Sequence, residues 1–347
     1  MSLPITSKGM TKNIKDYDSG LIELHFGSGA VLIAPGLQGR IFCQVGDELI
    51  HRFDPAPLNP IKPGEFRNLG GNSLWPAPEG GPYAFNYLPN SDTWLVQEGI
   101  NDANYHISSR SSETAVIQKE IILSNRKGAN VRARFSRSIS MVNAAKCMAD
   151  FNVQALSYTC EDVITPLEPY NKDIVLIAPW SLEQFSGGEG VTAFVKVSKA
   201  VESVNTDFYG VPGNRLSYGN GFFTFALGGE ERLQIGIKAV SRPEFIGALD
   251  PARCLLILRT TPPQSGIYFN IADNAQPKGP FSAADMYSIF NGGPLGFYEL
   301  ETIAPMQVSG TSVAPSKLVS ETLILCGAVS ELRRFLKNHG IDQTSLL

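Results

Sequence analysis

The sequence predicts one large domain built of antiparallel β-strands. Apolar, strand-like segments recur along all 347 residues, and 33 glycines and 23 prolines provide the turns that many short strands need. Hydrophobic residues make up 43% of the chain, which is enough for a substantial core. The length alone would allow two domains, but β-sandwiches of this size often form one unit, and no repeat or linker divides the chain.

The N-terminal part of the chain predicts a β-hairpin followed by a third strand. Two apolar segments, Leu21–Phe26 and Ala30–Ala34, flank Gly27-Ser28-Gly29, which favours a turn. The next strand is expected at Arg40–Val45, after the turn residues Pro35-Gly36.

The segment Val131–Met141 alternates between apolar and polar residues. Successive side chains of a strand point to opposite faces, so the alternation predicts a strand with one buried side. The apolar face consists of Val131, Ala133, Phe135, Ile139 and Met141. Only Arg137 interrupts this face, which makes it a residue of particular interest.

Further strands are predicted along the rest of the chain. The candidates are Thr114–Leu123, Asp173–Ala178, Val191–Val197, Gly221–Leu227, Arg232–Ala239, Cys254–Leu258, Ile267–Ala272, Phe297–Ile303 and Leu318–Leu325. The segment between Phe53 and Pro82 is rich in Pro and Gly, so we expect irregular loops there, which often carry function.

One helix is predicted near the C-terminus. Ser330 is its expected N-cap, Leu332, Phe335 and Leu336 form an apolar stripe, and Gly340 ends it. We expect this helix to pack on the sheets rather than to take part in chemistry.

Composition and charge argue against several classes of partner. The net charge is −4 and the basic residues are scattered, so we expect no nucleic-acid binding. No apolar segment approaches the length of a membrane span, and the N-terminus has no apolar signal segment, so we expect no membrane association and a cytoplasmic location. Residues 1–18 are interpreted as an N-terminal extension that begins with three residues typical of cloning, and residues 19–347 as the single domain. A native signal peptide removed in cloning is an alternative that stays open.

The cysteines and the known cofactor motifs indicate neither a metal site nor a cofactor. Five cysteines are present, none with the spacing of a metal site, and they are interpreted as buried free thiols; they are Cys43, Cys147, Cys160, Cys254 and Cys326. No phosphate-binding loop, dinucleotide fingerprint or serine-nucleophile elbow occurs in the sequence. We therefore expect no metal and no cofactor.

Several segments resemble the galactose mutarotase-like (aldose 1-epimerase-like) superfamily, in the expected order along nearly the whole chain. Ala34–Ile41 resembles an early strand of these proteins, and Arg67–Pro76 resembles a Gly-Gly loop that ends in an aromatic residue and proline. Phe297–Pro305 resembles the late strand that carries the catalytic glutamate. Gln234–Lys238 and Asn291–Pro294 resemble a related uncharacterised bacterial family. The resemblance implies a supersandwich of two large antiparallel sheets whose concave face binds a sugar.

The same resemblance implies acid–base chemistry on a sugar. Mutarotation needs a base for the anomeric hydroxyl and an acid for the ring oxygen. Glu301 stands at the position of the family's catalytic glutamate. Glu299 lies two residues earlier, so both carboxyls share one face of a strand, and each would shift the other's pKa.

The sequence departs from the family at its catalytic histidines. The chain contains only His25, His51, His106 and His339, and neither family histidine has a counterpart at the matching position. His106, in a polar segment, is the remaining histidine candidate for ligand contact, and Glu299 and Glu79 are other candidates for the missing acid.

Other polar and aromatic residues complete the predicted binding site. Sugars stack on aromatic rings and carboxylates bind their hydroxyls, which favours a group near the Gly-Gly loop. The predicted substrate-binding residues are Arg40, Arg67, Trp75, Glu79, Tyr83, His106 and Asp273. The two arginines suit hydroxyls or a phosphate, but Asn68 and Leu69 separate Arg67 from the two glycines, which argues against phosphate.

Three functions stay open on the sequence. The first is an isomerase of the aldose 1-epimerase type that acts on an unidentified sugar, with Glu301 as the base. The second is a sugar-binding protein without catalysis, which the absent histidines favour. The third is a sugar lyase or hydrolase that uses the paired carboxylates. The sequence indicates neither the sugar nor the oligomeric state.

Overall fold

Two large antiparallel sheets pack face to face in the computed structural model, which describes residues 14–59, 61–102, 104–144, 148–208, 210–268 and 284–341. The predicted fold class, a galactose mutarotase-like supersandwich, is confirmed. In the described residues no helix is long and apolar enough to cross a membrane.

The described strands and helices, in chain order, have the following bounds. The strands of the first half are β1 (Ile22–Phe26), β2 (Gly29–Ala34), β3 (Arg40–Val45), β4 (Glu48–Leu49), β5 (Gly71–Ala77), β6 (His106–Arg110), β7 (Thr114–Ser124), β8 (Asn130–Val142), β9 (Val153–Pro166), β10 (Ala178–Ser186) and β11 (Thr192–Lys196). Those of the second half are β12 (Val204–Asn205), β13 (Leu216–Gly219), β14 (Phe222–Ala226), β15 (Leu233–Lys238), β16 (Phe245–Asp250), β17 (Leu255–Thr260), β18 (Asp285–Asn291), β19 (Phe297–Ile303), β20 (Gln307–Ser309), β21 (Ser312–Ala314) and β22 (Ser316–Gly327). The helices are α1 (Glu98–Asn101), α2 (Ala200–Ser203) and α3 (Val329–Asn338), and residues 14–17 are also helical.

The two sheets have ten described strands each. The first sheet has the order β1-β2-β3-β5-β10-β19-β18-β15-β12, with β4 beside β3. The second has the order β13-β14-β11-β16-β17-β22-β9-β8-β7-β6. The described strand pairs of both sheets are antiparallel, which fits a sandwich in which each sheet turns one face to the common core.

The main core fills the space between the sheets, and smaller clusters lie outside it. The expected helix α3 packs its stripe of Leu332, Phe335 and Leu336 on the outer face of the second sheet. Its predicted N-cap was wrong: the helix begins at Val329, so Ser330 lies inside the first turn and caps no backbone group. The chain just before residue 19 is also packed, because Ile14 is buried and Asp18 accepts a hydrogen bond from the Gly36 amide.

The segment predicted to be irregular between Phe53 and Pro82 contains a central strand, β5. This prediction was wrong because β5 is buried on both faces and therefore shows no alternation of apolar and polar residues. The strand tolerates Pro76 because this residue lies opposite Pro179 of β10. The two residues that lack an amide donor therefore face each other in one strand pair.

The strand predicted at Asp173–Ala178 is displaced. Residues 171–174 form a turn, in which Asn171 accepts a hydrogen bond from the Asp173 amide, and β10 begins only at Ala178. The sequence pattern concealed β10 because its interior carries Ser181, Glu183 and Gln184, polar residues that are nevertheless buried. The long strand β9 and the strand β16 were also missed.

The interpretation of the cysteines as buried free thiols is correct for some of them only. Cys43 and Cys160 are buried free thiols, whereas Cys254 is exposed. The backbone of Cys254 has a φ of 50° in the turn before β17. The residue therefore lies outside the strand, which begins at Leu255. Cys147 lies outside the described residues.

Arg137, the residue that interrupts the apolar face of β8, joins the two sheets. Its side chain is fully buried, and its Nε donates to Asp162 Oδ1 at 2.7 Å. Its remaining donors reach the first sheet, where they contact the Gly39 carbonyl at 2.9 Å and the Asn72 side chain at 2.5 Å. A guanidinium on an apolar face is thus explained by polar partners across the core.

Replacing Arg137 should destabilise the protein strongly. The substitution Arg137→Met leaves Asp162 as an unpaired buried carboxylate, which we expect to cost about 3–5 kcal/mol of unfolding free energy in urea titrations. The matched control is Arg134→Met on the same strand, whose ion pair with Glu120 is solvent-exposed and should contribute about 1 kcal/mol or less. Equal losses in the two variants would contradict this account of Arg137.

Candidate functional site

The candidate site lies on the outer face of the first sheet, at its centre. On β19, Tyr298 and Leu300 belong to the core between the sheets, so Glu299 and Glu301 project from the opposite face. The strand register places Leu182 and Ser288 on either side of Glu301. The central position of β19 therefore brings the two predicted catalytic residues together on one covered face.

Glu299 and Glu301 form a hydrogen-bonded carboxyl pair. Burial raises the pKa of both groups, and the negative charge of Glu299 raises that of Glu301 further, to well above its ordinary value. The rise for Glu299 is limited by the hydrogen bond from Gln184 and by the charges of Arg40 and Arg52. Glu301 therefore holds the shared proton, and Glu299 is the group that ionises first.

Two further side chains hold Glu301. The Trp180 indole Nε1 donates to Glu301 Oε2 at 2.9 Å. Gln234 Nε2 donates to Ser288 Oγ at 3.0 Å and lies 3.3 Å from Glu301 Oε1. The carboxyl is thus held by side chains from β10 and β15 in addition to Glu299 on its own strand.

Glu299 is oriented by a relay that begins at Arg52. Arg52 Nη1 donates to Gln184 Oε1 at 3.1 Å, and Gln184 Nε2 donates to Glu299 Oε1 at 2.6 Å. Because Arg52 occupies the amide oxygen of Gln184, the amide nitrogen must face the carboxyl. Arg52 is itself held by Asp54 at 2.7 Å and by the ring of Phe297.

Several residues of this face keep a slight exposure to solvent, and we call the surface that they share the crevice. Glu299 is 7% exposed, whereas Glu301 is completely buried. The floor residues that keep a similar slight exposure are Ser73, Trp75, Leu182, Gln234 and Phe290. A ligand that enters the crevice therefore meets Glu299 first, with Glu301 behind it.

Trp75 belongs to an aromatic cluster that reaches the carboxyl pair through Trp180. It pairs with Trp180 across β5 and β10, and the two rings meet edge to face at 6.0 Å. Phe66 packs edge-on against Trp75 at 5.0 Å. Glu79 lies close enough for its charge to raise the pKa of Glu301, and its Oε1 accepts a hydrogen bond from Asn86 Nδ2 at 3.4 Å.

The remaining predicted binding residues lie elsewhere or are committed to structural contacts. Arg40 is fully buried, and it donates to Gln38 Oε1 and to the Gly70 carbonyl; burial lowers its pKa to about 9. Arg67 ties its loop to Asp102 and to the Pro57 carbonyl. Tyr83 donates to the Asp173 carbonyl at 3.0 Å.

Two further candidates are not brought to the carboxyl pair. His106 begins β6, an exposed edge strand of the second sheet. Asp273 lies outside the described residues. Among the described residues no cluster of acidic, histidine or cysteine side chains is arranged to hold a metal ion.

The histidines do not supply the expected acid. His51 is buried in the core between the sheets, where its Nε2 lies 2.8 Å from Glu183 Oε1. His25 is exposed on β1, and His339 stacks on Phe335 next to α3. Together with His106 these are all the histidines of the chain, so none of them reaches Glu299 or Glu301.

A groove of about 1290 Å³ lies apart from the carboxyl pair. It is formed by residues 62–66 and 93–99 and by outward-facing residues of β7 and β8. Its acidic side chains are exposed, and Glu65, Asp102 and Glu120 are paired with basic side chains. Because it contains no buried titratable group, we place the candidate site at the carboxyl pair instead.

Sequence reasoning missed the side chains that position the pair. Trp180, Gln184 and Gln234 contact the two carboxyls directly, and Arg52 acts through Gln184. Gln234 lies in a segment that was matched only to an uncharacterised family. No sequence pattern indicated Trp180 and Gln184, because the strand was predicted at Asp173–Ala178 and β10 runs from Ala178 to Ser186.

The carboxyl pair predicts a pH dependence of stability that one substitution removes. Because the folded pKa of Glu301 is raised, its stabilising contribution is present below the unfolded carboxyl pKa of about 4.3 and declines as pH rises, by up to about 1.4 kcal/mol per unit. Glu301→Gln mimics the protonated form, so we expect a flatter profile between pH 5 and 8 and a higher unfolding free energy at pH 8. Urea titrations at several pH values measure both.

The control for this prediction is Glu113→Gln, which removes an exposed carboxyl from a turn. It should follow the wild-type profile. A Glu301→Gln protein whose stability falls with pH as steeply as the wild type would show that Glu301 is not the protonated member of the pair.

Comparisons with solved structures agree with this architecture. A putative aldose 1-epimerase from Escherichia coli K12 is 14% identical with a TM-score of 0.52, over 88% of this chain and 97% of that one. A galactose mutarotase-like protein from Lactobacillus casei ATCC 334 is 12% identical with a TM-score of 0.51, over 88% of this chain and all of that one (100%). At these identities the similarity shows the fold, which is galactose mutarotase-like.

Sequence comparisons show the family. No curated protein matches the chain. The model of a family of unknown function, DUF6786, matches residues 8–322, and the chain therefore belongs to this family.

Proposed function

We propose that this protein binds a sugar in the crevice above Glu299 and interconverts its anomers by acid–base catalysis. The observation that carries the proposal is the hydrogen-bonded carboxyl pair on one face of β19, in which burial and the charge of Glu299 raise the pKa of Glu301 well above its ordinary value. Mutarotation needs one group that accepts a proton and one that donates a proton, and both are present at the floor of one crevice.

The lining of the crevice suits a carbohydrate. Trp75 keeps 4% of its surface exposed on this face, where its ring offers an aromatic contact for the C–H groups of a sugar. Glu299 and the amide of Gln234 offer an acceptor and a donor for hydroxyl groups. An apolar wall beside a few convergent polar groups is the usual composition of a small-molecule site.

The proton balance of the reaction follows from the shared proton. Glu299, as the carboxylate, accepts the proton of the anomeric hydroxyl while the pair returns a proton to the ring oxygen. The ring C–O bond breaks, an open-chain aldehyde forms, and closure on its other face produces the second anomer. The pair carries one proton before and after each step.

The proposed roles reverse the assignment made from the sequence. Glu301 was expected to be the base, but its raised pKa and complete burial make it the proton-holding member. Glu299 is the more exposed group and the one nearer to Arg40 and Arg52, so we assign it the role of base.

The carboxyl separation argues against glycoside hydrolysis. Glycosidases that use two carboxyl groups keep them about 5–10 Å apart, because the sugar or a water molecule must fit between them. Glu299 and Glu301 are hydrogen-bonded to each other, which leaves no such space.

A second candidate function is sugar binding without catalysis. It is favoured by the positions of the four histidines, none of which reaches the carboxyl pair. The two functions share the crevice and differ only in turnover, so one set of variants separates them.

Substituting Glu299 should separate binding from turnover. A panel of neutral, amino, acidic and phosphorylated sugars is first screened by thermal shift, since a ligand of the native state raises the melting temperature. For a sugar that binds, polarimetry measures mutarotation. We expect Glu299→Gln to lower the rate by about 100-fold or more and to change Kd only slightly.

The control is again Glu113→Gln, which should keep the wild-type rate. Wild-type binding without any acceleration of mutarotation would support the binding protein instead. If no sugar raises the melting temperature, the proposal fails.

A further inference from the structure

Asp285 is a buried carboxyl with one oxygen that lacks a partner. It is the first residue of β18, and its side chain is fully buried. Oδ2 accepts a hydrogen bond from Asn205 Nδ2 at 2.9 Å, whereas Oδ1 has no hydrogen-bond partner among the residues that the structure describes. An unsatisfied buried carboxyl oxygen is costly and uncommon, and binding sites are where such groups are retained.

Asp285 lies on the same face of the first sheet as the carboxyl pair. Glu301 pairs with Ser288, Ser288 with Gly236, and Gly236 with Asn205, so these residues form a row across four strands. Two strand spacings, about 10 Å, separate the backbone at Glu301 from that at Gly236. Gln234, two residues before Gly236 on β15, extends its side chain toward β19 and contacts both Ser288 and Glu301.

Gly236 provides the space that the Asp285 carboxyl occupies. A Cβ atom at Gly236 would lie 2.5 Å from Asp285 Oδ1 and Cγ, too close for any side chain. The carboxyl therefore lies over the glycine, on the crevice face of the sheet. A larger residue at this position would displace it.

The surroundings of Asp285 favour a hydrogen-bond donor and disfavour an anion. Burial raises the pKa of Asp285 to about 7; the Asn205 hydrogen bond and the charge of Lys238 oppose this rise, and the charge of Asp207 adds to it. Lys238 directs its Nζ to the Glu202 carbonyl at 3.2 Å. A second negative group next to Asp285 and Asp207 would be repelled.

We propose that Asp285 is a specificity-determining residue that binds a hydroxyl or amino group at the end of the sugar remote from its anomeric carbon. The inference rests on the proposed function, because it takes the anomeric end to lie over Glu299. It extends that function by naming the substrate class: sugars with a free donor at the remote end, and not sugars phosphorylated there. Asn205 acts as a positioning residue, because it holds Oδ2 and leaves Oδ1 for the ligand.

The test compares three ligands on three proteins by isothermal titration calorimetry. The ligands are the hexose that binds best, its 6-amino-6-deoxy derivative and its 6-phosphate. The proteins are the wild type, Asp285→Asn, and Asp207→Asn as the matched control on the neighbouring loop. We expect the wild type to bind the 6-phosphate at least about tenfold more weakly than the hexose and the amino sugar. A difference of this size corresponds to the loss of one charge-assisted hydrogen bond.

Asp285→Asn should weaken binding of the hexose and the amino sugar by about tenfold and reduce the preference over the phosphate. A larger loss for the amino sugar than for the hexose would identify an ammonium group as the preferred donor, and equal losses a hydroxyl. Asp207→Asn should keep the wild-type affinities for both donor ligands. Gly236→Ala, which displaces the carboxyl without removing it, should reproduce the loss if Asp285→Asn does not fold.

The two proposals fail in different ways. If the wild type binds none of the sugars, the proposed function fails. If it binds them and Asp285→Asn binds them with the same affinities and the same preference, the role of Asp285 is wrong while the sugar site stands.

Discussion

The buried carboxylate of Glu183 is the interaction on which the rest of the structure depends. It lies on β10, at the centre of the first sheet, and points into the core between the sheets. Its oxygens meet His51 Nε2 at 2.8 Å, the Tyr158 hydroxyl, Thr322 Oγ1 at 2.8 Å and Arg259 Nε at 2.5 Å. Three of these partners come from the second sheet, so one charge joins both layers.

Arg259 carries this constraint to the site. It also donates to the carbonyl of Leu300, the residue between Glu299 and Glu301. The residue that follows Glu183 on β10 is Gln184, which projects from the opposite face and hydrogen-bonds to Glu299. The interior ion pair therefore fixes the two strands from which the carboxyl pair is built and held.

Glu183 and Glu301 show how partners decide the charge of a buried carboxyl. Both are completely buried. Arg259 and the hydrogen bonds from His51 and Tyr158 overcome the cost of burial and lower the pKa of Glu183 to about 2. Glu301 faces a second carboxyl instead of a guanidinium, so its pKa rises and it keeps its proton. Two glutamates on adjacent strands thus differ in charge, and of these two only the protonated Glu301 lies on the crevice face.

Sequence patterns determined an antiparallel β fold, and the resemblance to the mutarotase-like superfamily located the carboxyl pair. Alternation in Val131–Met141, turn residues between apolar segments and the spacing of Glu299 and Glu301 are local properties, readable without tertiary structure. The central strands β5 and β10 were missed because they are covered on both sides, so their burial leaves no periodic signal. Tertiary structure alone decided which polar residues meet: Arg52 reaches Gln184 across 132 positions and Trp180 reaches Glu301 across 121. The proton of Glu301 and the unpaired oxygen of Asp285 are likewise products of that packing, because burial and neighbouring charges set them.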